Sequence, residues 1–138
     1  MRRGGPLPWD NDFDMMLFYE EINTIDETEF YKKFHDRGIE ITYRYWKGEY
    51  VVHRNGAHGD IMIFKEYWTG ERGRIGIEPW LFFVHFKYYH QAPARLFVKP
   101  LPKLRFAGID FSVPKDGLEI QKRFYPHDWW KEVKPKGC

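Results

Sequence analysis

Cysteine occurs once in the 138 residues, as the last of them, Cys138. A lone terminal thiol excludes an intramolecular disulfide framework and any all-cysteine metal site, and leaves the redox compartment unreadable from cysteines. The six histidines show no H-x-x-x-H spacing and no pairing with cysteine, which gives a zinc site little support. Long apolar runs are missing as well. The most apolar stretch, Trp80 to Phe86, is broken by His85 and followed by Lys87, far short of the roughly 20 residues a membrane helix needs. The basic start Met1-Arg2-Arg3 has no apolar segment after it, so it does not read as a signal peptide. Excess charge is nearly absent, because 22 Lys plus Arg meet 20 Asp plus Glu. That balance does not imply nucleic-acid or membrane binding on charge alone. What is abundant is aromatic: 20% of the chain, with 43% hydrophobic and 30% charged residues, a composition for one aromatic-rich globular domain over residues 1–138.

Along that domain, Phe13 to Phe18 is apolar apart from Asp14 and reads as a buried strand with acids at its start. Thr24 or Asp26 is positioned to cap a helix with Ile25, Phe30 and Phe34 on one side and Gly38 as its stop. Ile41, Tyr43 and Tyr45 then alternate with polar residues, and Lys47-Gly48 separates them from Tyr50-Val51-Val52, the pattern of a hairpin. Arg54 to Gly59, Thr69 to Gly76 and Pro100 to Lys103 read as loops, and Asp60 to Phe64 as a second strand led by an acid. Arg95 to Val98 and Ile109 to Val113 are expected as short strands, and Lys115 to Tyr125 as a terminal helix. The order implies an α+β fold, a mixed β-sheet with flanking helices.

The chemistry concentrates in Trp9-Asp10-Asn11-Asp12-Phe13-Asp14. Carboxylates at i, i+2 and i+4 of an extended segment project from one face, where their repulsion calls for a metal, a basic partner or open solvent. Hard oxygen ligands select magnesium, manganese or calcium over zinc. The interleaved Phe13 and Met15 do not fit an EF-hand loop. Solvated turn residues are the competing reading for Asp10 and Asp12, and an ordinary turn residue for Asp60. Two carboxylates on one strand with a third, Asp60, on a neighbour would hold magnesium and align a phosphate ester for in-line transfer.

Leu7-Pro8-Trp9-Asp10-Asn11-Asp12-Phe13-Asp14, with Arg3 upstream, resembles the signature of the LicD/fukutin family. The stretch Ile109 to Lys115, followed by Arg123-Phe124-Tyr125-Pro126-His127-Asp128-Trp129-Trp130, resembles that family's closing segment. The resemblance implies a nucleotidyltransferase-like fold and a phosphotransferase that moves a phospho-polyol or phosphocholine group from a CDP-linked donor to a glycan acceptor. It implies Mg2+ or Mn2+ as cofactor and Asp10, Asp12 and Asp14 as metal ligands. Asp12, Asp14 and Asp60 become the catalytic carboxylates. The family's Gly-Ser or Gly-Thr step upstream of the arginine has no counterpart, so the chain is expected to start inside the family pattern and to lack the fold's first helix. Animal members work in the Golgi through an N-terminal anchor, which implies a Golgi location here if such an anchor lies upstream.

Within that reading Arg54, Arg72 and Arg74, in or near glycine-containing loops, are candidates to grip a donor diphosphate, against the plainer reading of solvated loop charges. Trp129 and Trp130 are candidates to stack on an acceptor sugar. A metal-linked aspartate is a better base for the acceptor hydroxyl than His58. A glycan- or partner-binding domain of the same family without catalysis is the alternative, and a cation-binding fragment a third.

Overall fold

The computed structural model describes residues 9, 12–77, 80, 84–85 and 89–131. The chain divides into two compact units, residues 11–91 and residues 1–10 with 92–138. In the larger unit, β1 (Asp12–Phe18) leads into the short α1 (Tyr19–Ile22) and then α2 (Glu27–His35). Four strands follow: β2 (Glu40–Arg44), β3 (Glu49–Arg54), β4 (Ala57–Glu66) and β5 (Glu71–Arg74). β4 is the axis of the sheet. β1 runs parallel along one edge of it, from Asp12 beside His58 to Phe18 beside Phe64. β3 pairs antiparallel with the other edge, β5 takes over that edge at Phe64–Glu66, and β2 lies outside β3. The sheet is mixed and the fold is α+β, as the pattern of elements predicts.

The period of two along each strand sorts the side chains. Met15, Leu17, Ile41, Tyr43, Tyr50, Val52, Ile61 and Ile63 share one face, and α2 covers it with Phe30, Tyr31 and Phe34. Phe30, Ile41, Tyr50 and Ile61 are the buried centre, Ile61 being only 2% exposed. The Phe30 ring meets Tyr50 and Phe34 edge-on, each at 5.1 Å. Full burial of such side chains contributes roughly 1.5–3 kcal/mol each. Of the two predicted caps, Asp26 is the one used: its carboxylate accepts from Glu29 N at 3.2 Å, while the Thr24 hydroxyl donates back to Glu21 O. Ile25 precedes the helix and stays exposed.

Three sequence expectations change. Arg54 to Gly59 is not a loop, because β3 continues to Arg54 and β4 starts at Ala57. Only Asn55 (φ 51°) and Gly56 (φ 80°) turn the chain, the two left-handed residues whose twist matches the strands they join. Within Thr69 to Gly76, Glu71–Arg74 forms strand β5, whose Arg72 pairs with Glu20 and Glu66 and whose Arg74 pairs with Glu49. Arg95 to Val98 is not a strand; Ala94–Phe97 is a 3-10 turn with Leu96 and Phe97 buried.

In the smaller unit that turn is tied to α3 (Gly117–Phe124) by Arg95, whose Nη2 donates to both Glu119 oxygens at 2.7 and 2.8 Å. Asp116 caps α3 by accepting from Glu119 N at 2.9 Å. A second hairpin, β7 (Lys103–Phe106) and β8 (Ile109–Ser112), lies between them in sequence, and the short β6 (Gln91–Pro93), which is next to β5 in the main sheet, precedes the 3-10 turn. Among the described residues no helix is long and apolar enough to cross a membrane.

Candidate functional site

The face of the sheet opposite α2 is polar, and its residues stand in rows across the strands. One row is Glu40, His53, His58, Asp12; the next is Thr42, Val51, Asp60, Asp14; the third is Arg44, Glu49, Met62, Met16. Asp14 and Asp60 are therefore direct neighbours on parallel strands, and Asp12 projects from the same face one step away. Solvent access falls along the rows. The Glu40 side chain is 87% exposed, and that of Glu49 only 3%.

Crowding of like charge shows in the titration of the pair. Asp14 still reaches solvent, yet the adjoining strands strip water from part of its surroundings, and that desolvation, then Asp12, Asp60 and Glu49, push its carboxyl up to about 6, against the opposing pull of Arg74. Asp60 is raised as well, by burial first and then by Glu49 and Asp12, with Arg44 and Lys47 opposing.

Glu49 is the residue that sequence reasoning missed. Its Oε2 accepts from Arg74 Nη2 at 2.6 Å, and its Oε1 lies 3.5 Å from both Arg44 Nη1 and Lys47 Nζ. Arg74 Nη2 also donates to Lys47 O at 2.5 Å. Arg74 Nη1 faces His90 Nδ1 at 3.5 Å. Burial, then Arg74 and His85, push the His90 ring down to about 4, so near neutrality it is uncharged, and with the proton on Nε2 its Nδ1 accepts from the guanidinium. Gly48 makes this packing possible: its φ is +60°, and a Cβ there would meet the Gly76 carbonyl carbon at 2.5 Å. The available signal was the hairpin register, which sets Glu49 opposite Arg44.

The arginines expected to grip a diphosphate are placed otherwise. Arg72 and Arg74 lie on strand β5, buried, and not in a loop. Arg72 donates to Glu20 Oε2 at 2.9 Å and Glu66 Oε2 at 3.3 Å, and stacks 4.3 Å from the Phe18 ring centroid. Arg54 ends β3 on the α2 side of the sheet, the face away from Asp14 and Asp60. Asp10 lies outside the described residues. Trp129 and Trp130 belong to the smaller unit, their rings 5.6 Å apart, with Lys122 Nζ over Trp129 and Lys131 Nζ over Trp130 at 4.7 and 5.5 Å.

Among the described residues no three His, Cys, Asp or Glu side chains are already grouped to hold a metal ion. The chemistry of the donor set nevertheless suits one class of cation. Asp12, Asp14 and Asp60 offer only carboxylate oxygens, the ligands of Mg2+ and Mn2+, and a divalent charge among them would relieve the repulsion that raises Asp14.

No curated protein matches the chain. The family described as LicD/FKTN/FKRP, nucleotidyltransferase domain, matches residues 1–116, which takes in β1, β4 and the carboxylates of Asp12, Asp14, Glu49 and Asp60. With more than four-fifths of its length covered by that match, the chain belongs to the LicD/FKTN/FKRP nucleotidyltransferase-domain family.

Proposed function

We propose that the protein transfers a phospho-polyol or phosphocholine group from a CDP-linked donor to a glycan hydroxyl, using Mg2+ or Mn2+ held by Asp12 and Asp14. The observation that carries this reading is the pairing of Asp14 with Asp60 on neighbouring parallel strands of a LicD/FKTN/FKRP family member. A bound divalent cation would neutralise the donor diphosphate and the charge that develops on the leaving group. The chain's own residues do the rest. Asp12 and Asp14 bind and orient. Asp60, on the same face, takes the proton of the acceptor hydroxyl while that oxygen bonds to phosphorus and the bridging P–O bond to CMP breaks. The buried Glu49–Arg74 pair links β3 and β5 further along the same face and has no contact with substrate in this scheme. A Golgi site of action goes with this reading where an upstream anchor supplies it.

The test is CMP release from CDP-ribitol or CDP-choline with a glycan acceptor. Asp12→Asn is expected to lower turnover by at least about a hundredfold with an unchanged circular dichroism spectrum; retained turnover would sink the metal role. A binding domain without turnover is the second reading. It is favoured by the engagement of Arg72 and Arg74 in ion pairs with the protein's own carboxylates. Magnesium-dependent binding of cytidine nucleotide with no CMP release selects it.

A further inference from the structure

β3 and β4 are joined by only Asn55 and Gly56, so two histidines five positions apart become cross-strand partners. The His53 and His58 rings stand with centroids 4.8 Å apart and planes 40° apart. Both reach solvent at the open end of the polar face. A cation bonded to two imidazole nitrogens at about 2.0–2.1 Å holds the ring centroids about 4.5–5.2 Å apart, for bond angles from right-angled to tetrahedral. The observed separation lies inside that interval before any metal is added. On the outer strand Glu40 is the register partner of His53, and its Oε2 is 3.8 Å from His53 Nδ1. That distance is longer than a hydrogen bond, so Glu40 adds a nearby negative charge and leaves open which imidazole nitrogen would bind. On the other side Asp12 is the register partner of His58.

We propose that His53 and His58 form a chelate for a borderline divalent cation of the zinc type, with water completing the coordination. The site is distinct in chemistry from the all-oxygen row of Asp14 and Asp60 one step further along the strands. Imidazole nitrogen selects Zn2+, Ni2+ or Cu2+, whereas Mg2+ prefers oxygen and gives up its water reluctantly. The two-histidine chelate stands whether or not the chain transfers a phosphoryl group.

The experiment is calorimetric titration of the full chain with Zn2+ in excess Mg2+, in a Cys138→Ser background that removes the thiol. Expected is a zinc site that magnesium does not displace, weakened at least about tenfold in both His53→Ala and His58→Ala. Nitrogen-detected NMR should show the ring signals of these two histidines moving with added zinc. Thermal melts of the metal-free variants should match the parent, and His53→Asn, which keeps a polar side chain, should lose zinc to the same degree. Zinc binding unchanged in the double alanine variant, or displaced by magnesium, overturns the proposal.

Discussion

The two faces of the sheet are made by the same strands, residue by alternate residue, and proximity has opposite consequences on them. On the α2 side, Tyr50, Ile61 and Phe30 gain from closeness, because each neighbour removes apolar surface from water. On the other side, Asp12, Asp14, Asp60 and Glu49 are brought together by the same register, and their charges raise the cost of ionising Asp14 and Asp60. The apolar face sets the register; the acidic face has to accept it, since a one-residue slip would turn every core side chain outward. Repulsion among the acids is thus held in place by packing on the far side of the backbone.

The polar face is itself graded, and its buried end gives the largest expected effect. Glu49→Ala leaves the Arg74 guanidinium, 2% exposed, without its carboxylate, and breaking a buried pair from one side costs about 3–5 kcal/mol. Urea unfolding should show that loss, and Glu49→Leu combined with Arg74→Met should recover most of it. A double variant as unstable as Glu49→Ala would mean that the pair is worth more than its own desolvation. On the α2 face, Ile61→Ala should cost about 3 kcal/mol, the usual range for a large-to-small change at a site packed on all sides. The same urea series checks it, and a loss under about 1 kcal/mol would show that α2 collapses onto the gap.

Much of the apolar face could be read from the chain. The alternation of Ile41 and Tyr43, the cap at Asp26 and the turn at Lys47-Gly48 are local signals, and the elements form where they point. The polar face is harder because its logic is non-local. Arg72 and Arg74 look like loop charges until Glu20, Glu66 and Glu49 arrive from 52, 6 and 25 positions away. The Asp14–Asp60 pairing is parallel across two helices and a hairpin, so two acidic strand starts were visible but not their register. One miss was avoidable. Asn55-Gly56 is the strongest short hairpin signal there is; read as a loop, Arg54 to Gly59 conceals that His53 faces His58.

The smallest effect tests the comparison most directly, since its sign should reverse between the faces. Asp14 has an ordinary value of 3.8 and a folded value of about 6. As pH rises through that window the unfolded chain gives up its proton first, so stability falls and the penalty is complete above about 6. Asp14→Asn removes the charge at nearly constant volume. Because Asp14 reaches solvent, screening leaves a gain of about 1 kcal/mol at pH 7 rather than the amount the full shift would set. The gain should shrink as pH falls and vanish about a unit below 3.8, where both states of the parent are protonated. His90 acts in the opposite direction, its folded value of about 4 making the protein less stable as pH drops from 6.5, so the quantity to follow is the difference between variant and parent in urea melts from pH 4 to 7. Saturating Mg2+ should close that difference by stabilising the parent alone. A variant less stable than the parent at pH 7 would mean that Asp14 makes attractions on this face that outweigh the three neighbouring carboxylates.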